Sequence, residues 1–180
     1  MILAVDTGGT KTLIAEFDSS GGITNSIKYP TPADPEEYID CLHKQILENF
    51  EASDIEAISI ATPGFITDGV VEHYNKLKWR NFEIVKKLQK KLLGIQVFLQ
   101  NDAKLGALGV RNEVPESKRL MYLTLSTGIG SGLVVDGRLS EDLIHSESGK
   151  ITLYRNGLHD TWEHMASGKA FFEKYGKFGH

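Results

Sequence analysis

Two stretches of this chain carry the residue types that grip phosphate. Val5-Asp6-Thr7-Gly8-Gly9-Thr10-Lys11-Thr12-Leu13-Ile14-Ala15 and Leu125-Ser126-Thr127-Gly128-Ile129-Gly130-Ser131-Gly132-Leu133-Val134-Val135 each run apolar strand, Thr-Gly turn, apolar strand. Aligned without a gap, they share the Thr, the Gly and the Leu between matched apolar flanks. Glycine lets a backbone turn tightly and approach an anion, so that its N–H groups point at phosphate oxygens. Two such hairpins facing each other would hold a polyphosphate from both sides. Only the first carries a carboxylate, Asp6 against Ser126, so only that one can engage a metal. Mg2+ suits such a place, because water and substrate phosphate complete its shell around few carboxylates. The alternative for Asp6 is a plain turn-former, since Asp before Gly is common in hairpins.

Asn101-Asp102 is the second place where chemistry is readable. The pair closes the strand Val97-Phe98-Leu99-Gln100 and opens the helix Ala103-Lys104-Leu105-Gly106-Ala107-Leu108-Gly109. An N-cap pair is the ordinary reading. The position favours more, because the carboxyl end of a sheet strand is where α/β folds place ligands. A carboxylate there could accept the proton of an attacking hydroxyl. Gly106 and Gly109 give that helix a thin face able to pack closely. Glu147, Gly149-Lys150 and Glu163 follow the second hairpin, and as lone charges they read first as solvated surface. His159 and His164 have no cysteine beside them, which gives a structural zinc little support.

Two common nucleotide motifs are excluded. No G-x-x-x-x-G-K-[ST] occurs, and Gly128-x-Gly130-x-Gly132 is followed by the strand Leu133-Val134-Val135 where a dinucleotide fold needs a helix.

The elements that must position these residues follow from patterning. Segments 2–6, 12–18 and 23–29 read as strands, with Ser19-Ser20-Gly21-Gly22 turning the second into the third. Asp34-Pro35 reads as N-cap and first helical residue, and Tyr38, Ile39, Leu42, Ile46, Leu47 and Phe50 follow at helical spacing. A strand at Ala57-Ile58-Ser59-Ile60-Ala61 ends at Thr62-Pro63-Gly64. Residues 65–81 read as a loop or short hairpin turning at Asp68-Gly69, followed by a helix over 82–93, a strand over 96–100 and a helix over 102–112. Pro115-Glu116-Ser117-Lys118 is the expected boundary, after which strand 119–126 restarts the pattern. The order βββαβαβα is a mixed-sheet α/β unit. The expected organisation is one such lobe over 1–115 and a partial second lobe over 116–180 carrying the second phosphate motif, with the chain stopping inside it.

Composition bounds the class. Of the 180 residues 41% are hydrophobic, and the formal net charge of −4 gives no basic field for nucleic acid or an anionic membrane. The apolar runs are strand-sized, so no membrane partner is expected. Met1 leads straight into Ile2-Leu3-Ala4-Val5 without a basic leader, and the single cysteine, Cys41, fits a reducing compartment. The expected location is the cytoplasm.

Together these residues resemble the ROK sugar kinases of the actin-like ATPase superfamily, over Ile2 to about Tyr175. Ala4-Val5-Asp6-Thr7-Gly8-Gly9-Thr10-Lys11 is similar to the family's first phosphate motif, and Ser126-Thr127-Gly128-Ile129-Gly130-Ser131-Gly132 to its second. Ala61-Thr62-Pro63-Gly64 resembles the Pro-Gly turn by the sugar, Leu77-Lys78-Trp79-Arg80-Asn81 the Trp-bearing loop, and Asn101-Asp102-Ala103 the catalytic Asn-Asp-Ala. The resemblance implies a ribonuclease H-like first domain and the start of a similar second one. It implies transfer of the ATP γ-phosphate to a hexose or N-acylhexosamine, with Asp102 as general base. Gly64, Asn101, Asp102, Glu147, Lys150 and Glu163 would contact the sugar. Gly8, Gly9, Thr10, Lys11, Thr127, Gly128 and Gly130 would hold the phosphates, and Asp6 would hold Mg2+ through water. The family commonly dimerises. The alternative within the resemblance is a sugar-sensing module without catalysis.

Three departures stand out against the family pattern. Lys150 replaces a histidine, residues 151–161 form a cysteine-free bridge where the family has a zinc loop, and against the family pattern the remaining C-terminal helices with their adenine pocket are expected to lie outside these 180 residues. No zinc is therefore expected.

Overall fold

Alternation of buried and exposed residues builds the first sheet. In β1 (Ile2–Thr7), Leu3, Val5 and Thr7 are buried on one face, and Thr12 and Ile14 of β2 (Lys11–Phe17) join them. β3 (Ile23–Pro30) completes an antiparallel meander. β4 (Ala57–Thr62) lies parallel to β1, and β8 (Gln96–Asn101) parallel to β4, giving a mixed sheet in the order β3-β2-β1-β4-β8. The structure, a computed structural model, describes residues 1–177.

Helix α1 (Pro35–Asn49) starts where expected, with Asp34 accepting from the amides of Glu36 (2.9 Å) and Glu37 (3.0 Å). Its buried stripe, Tyr38, Ile39, Leu42 and Ile46, meets Leu3, Val5, Ile14, Ile58 and Ile60 in one core. Leu47 leaves the expected stripe and is 50% exposed, since one residue past Ile46 rotates it about 100° around the helix. Helix α2 (Ile84–Lys91) adds Ile84 and Leu88 to the core.

Residues 65–81 hold more structure than a loop. β5 (Phe65–Thr67), β6 (Val70–Tyr74) and β7 (Trp79–Phe82) form their own sheet. Asp68 and Gly69 turn the first pair with φ of 48° and 79°, the positive pair that a tight hairpin demands. The fully buried Trp79 accounts for the order: its ring lies 4.9 Å from Tyr38 and 5.0 Å from Phe82, and its indole N–H donates to the Ala33 carbonyl at 2.8 Å.

The chain divides into two compact units, Met1–Asp102 and the residues from Ala103 onward. The sequence suggests a break near Pro115, but helix α3 (Asp102–Arg111) groups with the second unit. The reason is packing. A Cβ on Gly132 would meet Ala107 Cβ at 2.6 Å, and one on Gly106 would meet the Tyr122 ring at 3.0 Å, so helix and hairpin touch at backbone distance.

In the second unit β9 (Arg119–Leu125), β10 (Ile129–Val135) and β11 (Arg138–Leu139) repeat the antiparallel meander of β1–β3. The bridge of residues 151–161 is largely a hairpin, β12 (Thr152–Arg155) and β13 (Leu158–Thr161). Asn156 and Gly157 turn it with φ of 52° and 84°, a signal the bridge reading overlooks. Helices α4 (Trp162–Ala166) and α5 (Gly168–Tyr175) follow, capped by Thr161 and Ser167. Among the described residues no helix is long and apolar enough to cross a membrane.

Candidate functional site

Because β1, β4 and β8 run parallel, their carboxyl ends share one edge of the sheet. Register sets Asp6 beside Ala61 and Thr62 beside Asn101, so Asp6, the Pro63-Gly64 turn, Asn101 and Asp102 collect there with the β1–β2 bend. This is where open α/β sheets bind ligands. Asn101 is buried, and its side-chain amide donates to the Gly64 carbonyl at 3.2 Å. Gly64 has φ of 109° and lies so close to β6 that a Cβ would meet the His73 carbonyl at 2.6 Å; only glycine fits. The strand end carrying Asp102 is thereby tied to a turn that is itself fixed. Asp102 is exposed. Burial, and secondarily the charge of Asp102, push up the Tyr74 phenol.

The first bend runs from Gly8 to Lys11, between the paired Thr7 and Thr12. Gly8 N–H donates to the Lys11 carbonyl at 2.9 Å. Thr31 backs the bend: its hydroxyl donates to the Gly8 carbonyl (2.8 Å) and its amide to the Thr10 carbonyl (3.0 Å). Its one hydroxyl proton being used, the Thr12 hydroxyl is the donor in the 2.9 Å contact with Thr31. With these carbonyls held, the amides of Gly9 and Thr10 meet no acceptor among the described residues. Thr7 is structural, fully buried with its hydroxyl 2.7 Å from that of Tyr38. Asp6 is exposed, and no cluster of three or more His, Cys, Asp or Glu suited to a metal occurs among the described residues. One open carboxylate beside a glycine bend with unused amides fits a hydrated Mg2+ held through water, not a protein-caged ion.

The second bend differs from the first. It spans Ser126-Thr127-Gly128 between the paired Leu125 and Ile129, so Thr127 sits within the bend where its aligned counterpart Thr7 ends a strand. Gly130 lies inside β10, where a Cβ would meet Ala103 Cβ at 2.8 Å and Thr124 at 3.0 Å. Close packing accounts for this glycine. At Gly128 a Cβ would overlap the Glu163 carboxylate.

Glu163 is the clasp of this second bend. One oxygen accepts from the Ile129 amide at 3.0 Å and the other from Lys150 Nζ at 2.7 Å. Burial pushes its carboxyl up, but Lys150 and the Ile129 amide outweigh that and hold it below the usual carboxylate range. Gly168 N–H donates to the Ser126 carbonyl at 2.6 Å and fixes the bend from the other side. Lys150 and Glu163, expected as separate sugar ligands, are thus partners. Glu147 faces Lys104, a buried lysine of α3 whose Nζ lies 3.8 Å from its carboxylate and donates to the Ser146 carbonyl at 3.3 Å.

Sequence reasoning misses Thr31 and Lys104. The signal for Lys104 is a lysine between Ala103 and Ala107 on the buried helix face. Thr31, between two prolines, offers no comparable signal.

The chain matches the ROK family over residues 2–180. A glucokinase of Streptomyces coelicolor is 27% identical over 182 residues, covering 94% of this chain and 57% of that protein. The crystal structure of a ROK hexokinase from Thermus thermophilus superposes with a TM-score of 0.79 at 28% identity, covering 96% of this chain and 62% of that one. A ROK glucokinase from Streptomyces griseus in complex with glucose and AMPPNP superposes with a TM-score of 0.78 at 27% identity, covering 96% and 59%. The chain spans less than two thirds of the length of each. Its mixed α/β architecture is that of the actin-like ATPase fold, and the protein belongs to the ROK family.

Proposed function

We propose that the protein is an ATP-dependent sugar kinase acting on a hydroxyl of a hexose or N-acylhexosamine, with Asp102 as general base. The observation that carries this reading is the tie between Asn101 and Gly64, which holds the Asp102 strand end at the sheet edge shared with the Gly8–Lys11 bend. Asn101 and Gly64 position the sugar; Glu147, Lys150 and Glu163 contribute further contacts. Asp102 accepts the hydroxyl proton as the sugar oxygen bonds to the γ-phosphorus. The bond from that phosphorus to the β,γ-bridging oxygen breaks, releasing ADP and the sugar phosphate. Gly8, Gly9, Thr10 and Lys11, with Thr127, Gly128 and Gly130, hold phosphates by backbone donors and charge. Asp6 holds Mg2+ through water, and when bound that ion neutralises phosphate charge. The ATP requirement and the single cysteine support a cytoplasmic site of action.

The test is a coupled assay of ADP release by the complete protein with MgATP over a panel of hexoses and hexosamines. Release that rises with at least one sugar is expected. Release that is equal with and without every sugar contradicts the reading.

A further inference from the structure

The hairpin β6–β7 brings a lysine to the first bend that no phosphate motif contains. Tyr74 and Trp79 pair at the end of the two strands, leaving Asn75-Lys76-Leu77-Lys78 as the turn. Lys78 N–H donates to the Asn75 carbonyl at 3.2 Å, and Lys78 itself takes φ of 57°. Leu77 and Tyr74 pack against the core, and the Tyr74 ring lies 6.0 Å from that of Trp79. The turn is therefore anchored at both ends of Lys76.

Lys76 lies directly over the glycine bend. A Cβ on Gly9 would overlap Lys76 Cδ and the Tyr74 hydroxyl and would meet Lys76 Cε at 2.8 Å. The stem rests on the one residue of the bend that, lacking a side chain, leaves room for it. Among the described residues the Lys76 ammonium makes no ion pair. An unpaired cation held against backbone donors suits a phosphate, for which lysine serves as a compact point charge.

Resting on the kinase reading for the identity of the nucleotide, we propose that Lys76 is a phosphate ligand of the first bend. Its ammonium engages phosphoryl oxygens that the bend amides hold, and Tyr74 seats the stem. The residue comes from a hairpin remote in sequence from both glycine motifs, so its contribution is to nucleotide affinity and leaves sugar recognition alone.

Calorimetric titration of the complete protein with MgATP, and separately with inorganic tripolyphosphate, tests this. Lys76→Met keeps the stem and removes the charge, and is expected to weaken both ligands about tenfold, as loss of a charge-assisted hydrogen bond does. Lys76→Arg restores most of the affinity. Lys78→Met removes the same charge two positions on and stays within about twofold of the unsubstituted protein, which separates a local contact from a general field. Equal affinities for Lys76→Met and the unsubstituted protein, or equal losses at both lysines, overturn the assignment. Tight MgATP binding that depends on Lys76, with no sugar-stimulated turnover, removes the sugar kinase reading and leaves this one standing. Failure of the unsubstituted protein to bind either ligand overturns both.

Discussion

Glu163 accepts a hydrogen bond from the amide of Ile129 at 3.0 Å, binding a helix residue to the first position after the second glycine bend. Ile129 is buried, so removing the acceptor strands a donor away from water. Glu163→Ala is expected to lower stability by about 1–2 kcal/mol, with Glu163→Gln, which keeps an acceptor, costing less. Urea denaturation at neutral pH measures both.

The same carboxyl gives a pH dependence with a defined sign. Its folded pKa lies below its ordinary value, so its contribution is present above the unfolded pKa, near 4.3 for Glu, and is lost as pH falls through the lowered folded value. The stability difference between the unsubstituted protein and Glu163→Gln should therefore hold from neutral pH downward and shrink in acid. Urea midpoints across that range check it, and a difference that grows in acid contradicts it.

Two glycines of the second unit should respond in opposite directions to alanine. At Gly132 the new Cβ meets Ala107 Cβ at 2.6 Å and the Ala103 carbonyl at 3.0 Å, so Gly132→Ala is expected to destabilise by about 1–3 kcal/mol through overpacking. At Gly109, in helix α3, nothing lies within 4 Å, so Gly109→Ala is expected to stabilise by about 0.5–1 kcal/mol. Thermal melts of the two variants give the comparison.

Thr31 should matter out of proportion to its exposure. Thr31→Val removes the hydroxyl that donates to Gly8 and accepts from Thr12, at an expected cost of about 1–2 kcal/mol. If the bend grips phosphate, the KM for ATP rises in this variant while that for the sugar changes little. Steady-state kinetics separates the two.

Much of the first unit was legible because each signal was local. Asp34-Pro35 caps α1 by chemistry contained in four residues, and the alternation of Leu3 and Val5 states their shared face. The parallel order of β1, β4 and β8 then puts Asp6, Gly64 and Asn101 on one edge. What stayed hidden depends on partners distant in sequence. Nothing in the phosphate-like motif announces that Gly130 also packs against Ala103, because packing glycines and anion-binding glycines look alike along one dimension. The pairing of Lys150 with Glu163 joins residues that follow separate elements, and no pattern in either segment announces it. Residues 65–81 read as a loop or short hairpin, and the third strand is not legible because the strands are short and their order comes from Trp79 entering the core.

The most direct measurement is sugar-dependent ADP release by Asp102→Asn beside a calorimetric titration of the same variant with the sugar. The account predicts that turnover falls by a factor of about 10²–10⁴, the range for losing a general base, while the sugar still binds. Turnover by Asp102→Asn equal to that of the unsubstituted protein contradicts the assignment of the base.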